Sequence, residues 1–235
     1  MKKYFTKLLA FIAMILVGIA LVSCEPTDEP GGNGNNNGNN GNNNSENNEG
    51  DKKLELETVD LGLPSGLLWA TRSVVDINAR FDTERYKNRN YFSWGRLYSQ
   101  SIYSTRLEDD VENISGNAKY DVATKLCGEG WRIPTKEEWE ELLEHCTKEA
   151  EYHGPLTLTS KINGRTLILG AAGCMASYGH TSRGSGWYWT ATSNGEREAY
   201  AFTFWQGLHP WEFDCSLVSI EKELGLKVHP VKDSK

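Results

Sequence analysis

Lys125–Cys146, KLCGEGWRIPTKEEWEELLEHC, decides how the chain around it is read. Gly128 and Gly130 punctuate its first part, and Trp131-Arg132-Ile133-Pro134 follows as an extended run. Pro134 disfavours helix at Ile133, because its ring clashes with the preceding backbone in the α region. Thr135 is thereby placed as an N-cap, and Glu138 three residues on completes a capping box. Glu137 and Glu138 occupy the first turn, where the unsatisfied N–H dipoles favour negative charge. Trp139, Leu142, Leu143 and Cys146 recur at i, i+3, i+4 and i+7, so one apolar stripe faces a core. The spacing predicts an amphipathic helix over 136–146. It is a packing signature and carries no catalytic group.

Downstream the punctuation becomes regular. Asn163-Gly164 separates 156–162 from 165–169, and Asn194-Gly195 separates 187–192 from 198–204. Both predict hairpins, since Asn-Gly supplies the positive φ values that a tight two-residue turn requires. In the last of these strands Tyr200, Phe202 and Phe204 share one face and Ala199, Ala201 and Thr203 the other. Residues 205–214 read as a loop rich in aromatics, and 224–231 as a closing strand. Upstream, 54–57 alternates like a strand. VDLGLPSGLLWATRSV, 59–74, reads as two strands around a Gly-Leu-Pro-Ser-Gly turn. Residues 75–90 are polar loop, 90–97 an aromatic strand, 98–118 an irregular insertion, and 120–126 a helix that Gly128 ends. Two helices and about eight short strands make an α+β domain with a mostly antiparallel sheet.

Residues 1–23 hold Lys2, Lys3 and Lys7, no acid, and an apolar run of 15 residues from Leu8 to Val22. That is short for a membrane span of about 20 residues and has the layout of a secretory leader. It ends in Leu21-Val22-Ser23-Cys24, which resembles a bacterial lipobox and implies cleavage before Cys24 with diacylglycerol on its sulfur. The competing reading is an uncleaved N-terminal anchor with an incidental cysteine. Residues 24–50 are then the lipidated cysteine and a tether. Between Gly31 and Gly50 stand eleven Asn, six Gly and no apolar residue, a composition that cannot bury enough surface to fold. Its reach is about 25–30 Å as a coil and about 85–90 Å stretched. Residues 51–235 suffice for a single domain.

The chain carries 25 basic and 32 acidic residues, net −7; loss of the three leader lysines takes this to −10. An acidic exported protein is poorly suited to nucleic acid or anionic headgroups, so its membrane partner is reached through the lipid. Cys127, Cys146, Cys174 and Cys215 allow three disulfide pairings, and sequence does not choose among them. Their spacing contains no C-x-x-C. His145, His153, His180, His209 and His229 form no H-x-x-x-H pair and read as surface or loop residues. Ser185 lacks the G-x-S-x-G setting of a nucleophile elbow. The acids of 136–146 read as a solvated face. We expect no metal, no cofactor and no catalysis.

Several segments together resemble the Fibrobacter succinogenes major paralogous domain family of exported lipoproteins. They are VDLGLPSGLLWA at 59–70, YFSWG at 91–95, the C-x-x-GWR-I-PT-x-x-EW-x-EL pattern at 127–142, LGAAG at 169–173, GWYWTAT at 186–192 and V-x-PV at 228–231. The resemblance covers 57–232. It implies a C-type-lectin-like fold, related to that of formylglycine-generating enzymes: two helices against a twisted, mostly antiparallel sheet, paired chain ends and long loops on one side. It also implies an outer-membrane or cell-surface location. Two departures stand out. The closing motif is Lys227-Val228-His229-Pro230-Val231 where the family carries S-V-R-P-V, and the preceding loop is aromatic where the family's is rich in Asn, Ser and Gly. The calcium-binding triplets of related lectins are missing, and Cys174 and Cys215 are not spaced like the enzyme family's cysteine pair.

The aromatic loop is therefore the candidate site. Trp205, His209, Trp211, Glu212 and Phe213 are expected to contact a glycan or a surface protein. Rings would stack or anchor, and Glu212 would accept hydroxyl donors. The competing reading makes half of these rings core plugs, as is expected of Trp69, Trp94, Trp131, Trp139, Trp187 and Trp189. The functional expectation is a non-catalytic, lipid-anchored binding module; the alternative is a structural subunit of a surface fibre or polysaccharide-uptake complex.

Overall fold

Thr135 Oγ1 accepts from the Glu138 N–H at 3.3 Å, and Glu138 Oε2 accepts from the Thr135 N–H at 2.8 Å. The capping box starts helix α2, Lys136–His145. These coordinates are a computed structural model that describes residues 53–75, 90–99, 110–176, 179–181 (backbone only), 184–209 and 211–234. Glu49–Lys235 clusters as one unit. The leader, Cys24 and all of the tether lie outside the described residues, as do Pro210 and much of the two expected loops.

Glu138 has a second task. Its carboxylate takes two hydrogen bonds from Arg132, at 2.7 and 2.8 Å. Arg132 also donates to Asp233 at 3.0 Å and to Ser115 at 3.2 Å. A paired guanidinium of this geometry is stronger than a neutral hydrogen bond, so one side chain links the helix start to the C-terminal segment. The preceding helix α1, Val122–Cys127, is capped by Asp121. This fully buried carboxylate accepts from the N–H groups of Ala123, Thr124, Gly116 and Ile133 at 2.8–3.2 Å. Burial raises its pKa, and these four donors oppose the shift.

The described residues hold these two helices and twelve strands in four sheets, each paired antiparallel. The architecture is α+β and sheet-rich. Strands β1 (Thr58–Asp60), β2 (Leu68–Ala70), β12 (Val231–Lys232) and β3 (Trp131–Arg132) lie in the order β1-β2-β12-β3, so the beginning and end of the domain share a sheet. A second sheet, β4-β5-β6, comprises Cys146–Ala150, Leu156–Ser160 and Thr166–Leu169. Strands β7 (Cys174–Ala176) and β8 (Gly179–Thr181) pair with each other. The longest strands form the order β11-β10-β9: Ser185–Asn194, Glu198–Gln206 and Phe213–Glu221 are β9, β10 and β11.

This long sheet separates two cores. Alternation sends Trp187, Trp189, Ala199 and Ala201 to one side, among Phe92, Trp94, Ile114 and α1. Tyr188, Phe202 and Phe204 go to the other, among Trp69, Trp139, Leu142 and the leucines of β5 and β6. Trp139 of α2 stacks on Phe202 at 4.6 Å and meets Trp69 edge-on at 4.8 Å. Gly186 leaves room for the Phe204 ring, which a Cβ would overlap at 2.0 Å. The register shift between Ala199 and Ala201 opens β9 opposite them. The freed Ala191 N–H donates to Pro134 O at 2.8 Å, and Thr192 Oγ1 accepts from the Lys136 N–H at 3.1 Å. The bulge thus seats the start of α2.

Several expectations are corrected. Residues 54–57 form no strand: Leu54 instead donates its N–H to Leu126 O at 2.7 Å. Residues 90–97 contribute one bridge, Phe92 to Leu226. The expected closing strand at 224–231 is broken into isolated bridges, with regular pairing only in β12, where Val231 is held on both sides by Trp69 and Arg132. Helix α1 starts after Asp121, and α2 stops at His145, because Cys146 already pairs with Ser160 in β4. His229, expected as a surface or loop residue, lies outside regular strand but is buried. The six tryptophans expected inside are all buried. A hairpin forms at each Asn-Gly, but neither has the tight two-residue turn, since the Ser160 N–H donates to Arg165 O across four residues and Asn194 pairs with Glu198 across three.

Candidate functional site

The expected aromatic loop is shorter than the sequence suggests. Trp205 belongs to β10, opposite Ser185 and Asp214, and is half-buried. Phe213 starts β11 opposite Gln206 and packs partly on the second core. Both are parts of the sheet rather than free rings of a loop. Only the tip between β10 and β11 projects. There Gly207 donates to Glu212 O at 2.8 Å and Glu212 donates to His209 O at 2.9 Å. Gln206 Nε2 donates to Gly207 O at 3.1 Å and His209 O at 2.7 Å, fixing the turn from beneath. Gly207 is required by space: a Cβ would come within 2.5 Å of Glu212 and 2.9 Å of Trp205.

On this braced turn the rings of His209 and Trp211 lie parallel, 4.5 Å apart at 8°. Trp211 is 78% exposed and Leu208 74%. The Glu212 carboxylate sits beside them, with Oε2 accepting from the His209 N–H at 3.1 Å. Ordinary globular surfaces scatter single apolar side chains, but an aromatic plane held flat in water by a second ring is a preorganised stacking surface. The turn can stack, accept hydrogen bonds and bear on a partner.

A second stacked pair, Tyr152 and His153, escaped the sequence reading; their rings are 4.0 Å apart. No local pattern marks them, since the pair depends on His153 adopting φ 53°. Cys127, Cys146 and Cys215 are thiols. Burial pushes Cys127 and Cys215 up to about 12 and raises Cys146, which keeps them protonated and unreactive at neutral pH. Ser185 is buried and accepts from Trp187 Nε1 at 2.8 Å. Among the described residues no group of three or more His, Cys, Asp or Glu side chains is placed to hold a metal ion. An open groove of about 640 Å³ runs along the β1-β2-β12-β3 sheet between Leu56, Leu68, Trp131, Glu57, Lys232 and Asp233. Of its charged lining, Asp233 is paired with Arg132 and Lys232 lies over the Trp131 ring, so the β10–β11 tip is the better candidate.

No family model matches the chain, and neither does any curated protein or solved structure.

Proposed function

We propose that this chain is a lipid-anchored protein of the bacterial outer membrane or cell surface. Its domain, of C-type-lectin-like fold and Fibrobacter major paralogous type, binds a glycan or a protein partner without catalysis. Two observations support the fold: the two ends of the domain share one sheet, and two helices lie beside antiparallel strands. The binding reading is carried by the His209–Trp211 stack, braced from beneath by Gln206, exposed and flanked by Glu212. Trp205 and Phe213 support the tip from the sheet. The lipid anchor rests on Cys24 and its lipobox; labelled fatty acid enters the wild type and not Cys24→Ala, and equal label in both rules the anchor out. Binding is tested by comparing wild type with Trp211→Ala on a glycan array and in capture from envelope extract. Loss of the captured ligand at unchanged melting temperature supports the reading, and equal capture by both proteins refutes it.

One observation favours the structural-subunit alternative. Strand β11 is the outer strand of its sheet, nine residues long and half-exposed along most of its length. An edge of this kind can accept a further strand. Self-association that survives Trp211→Ala but is lost on introducing proline at Leu217 would favour assembly.

A further inference from the structure

Tyr152 and His153 occupy the tight turn between β4 and β5, closed by the Gly154 N–H donating to Glu151 O at 2.9 Å. Their ring planes are 21° from parallel, and Tyr152 is 53% exposed. His153 takes φ 53°, a left-handed conformation that costs a non-glycine residue energy and recurs where surroundings hold a side chain for use. Gly184 makes room for it: a Cβ there would stand 2.7 Å from the imidazole ring.

Gly184 also locates the pair. It directly precedes Ser185, which pairs with Trp205, which in turn pairs with Asp214. The His209–Trp211 turn therefore caps β10 and β11 at the same sheet end where Tyr152–His153 lies against the start of β9. Two inter-strand spacings, roughly 10 Å, separate β9 from β11 at this end, so the two ring pairs border the same sheet end. Each is an aromatic ring backed by an imidazole. Segments 151–154 and 205–214 carry Glu151, Glu212 and Asp214 and no lysine or arginine.

We propose that the two stacked pairs are separate subsites for one extended neutral oligosaccharide, each taking the C–H face of one sugar ring. The inference rests on the glycan form of the binding reading. A pyranose offers a flat apolar face with hydroxyls at its edge. A stiff aromatic plane with a carboxylate beside it complements both, because an ionised carboxylate only accepts hydrogen bonds and hydroxyls supply the donors. The acidic turns disfavour uronic or sialic acids through like-charge repulsion. Two spaced platforms favour a chain over a single sugar, since linked contacts share one cost of association.

The test is titration calorimetry of the full chain in detergent with glucan, xylan and mannan oligosaccharides from monomer to hexamer. Affinity for one of these series should rise with length. Trp211→Ala should abolish binding at every length. Tyr152→Ala should bind the shortest sugars as wild type does but lose about tenfold for the longest, the worth of one stacking contact. Tyr152→Phe, which keeps the ring, should retain that gain. If Tyr152→Ala keeps the length dependence while Trp211→Ala abolishes binding, the second subsite is wrong and the binding reading stands. If wild type binds no oligosaccharide, the sugar ligand is wrong, and Trp211-dependent capture of an envelope protein then decides the broader reading. Equal melting temperatures of the Tyr152 variants exclude unfolding as the cause.

Discussion

Trp69, Trp139 and His229 in the second core, and His209 with Trp211 at the β10–β11 tip, are made of the same two residue types. In the core Trp139 and Trp69 are fully buried and meet edge-on at 4.8 Å, while His229 lies 6.3 Å from Trp69 with Nε2 on Ala70 O at 2.7 Å. At the tip the indole and imidazole are parallel and face water. Burial removes apolar area from water and contributes to folding, whereas the tip leaves that area available to a ligand. The core should therefore govern stability and the tip should hardly touch it, and each prediction probes one side of that contrast.

The largest effect is expected in the core. Trp139→Ala removes the ring that joins α2 to Trp69 and Phe202, and should cost about 3–5 kcal/mol in a denaturant melt. A neutral result would mean that the two clusters do not differ in kind.

The pH response of His229 comes next. Burial lowers its pKa to about 4 from the ordinary 6.5, and the hydrogen bond to Ala70 O opposes this. The unfolded chain thus binds the proton more readily than the folded one between these values. The stabilisation is full above pH 6.5 and is lost as pH falls toward 4, about 3 kcal/mol in all. Imidazole resonances followed by NMR should show a His229 midpoint far below 6; a midpoint near 6.5 would place the ring in contact with water.

Thr135→Ala is the local counterpart. It leaves the Glu138 N–H without its cap and should cost about 1 kcal/mol. The loss should be smaller than for Trp139→Ala, because Arg132 still holds the Glu138 carboxylate at 2.7 Å. An equal loss would mean that the cap, and not the buried ring, carries α2.

How much of this was legible follows from the range of each interaction. The capping box and the existence of the two Asn-Gly hairpins depend on residues within a few positions of one another, and both are legible in the sequence, whereas the turn lengths are not. Strand β11 was missed because its apolar residues change parity, Phe213, Cys215 and Leu217 on one face and Val218 and Ile220 on the other. It borders both cores, so no single alternation marks it. Trp205 and Phe213 lie at the ends of β10 and β11, beyond the alternation of 198–204, so that pattern does not mark them as strand. His229 stands inside Val-His-Pro-Val, and that apolar setting was the available sign of a buried, hydrogen-bonded histidine. The tip was found as a concentration of rings, but which rings face water depends on β10 and β11 continuing to Gln206 and from Phe213. That is a matter of long-range register.

The smallest stability effect belongs to Trp211→Ala. Its ring touches His209 and is 78% exposed, so little area returns to water when it is removed. The turn beneath does not depend on it: Gln206 Nε2 and the Gly207 and Glu212 backbone make the bracing hydrogen bonds. The change in stability should stay within about 0.5 kcal/mol, the range of ordinary surface substitutions. Gln206→Ala is the sharpening control, since it keeps the rings but removes their support. It should loosen the turn and weaken ligand capture while Trp211 remains present. A cost above about 1 kcal/mol for Trp211→Ala would make the tip a structural plug, and the exposed stack would then lose its claim to be a binding surface.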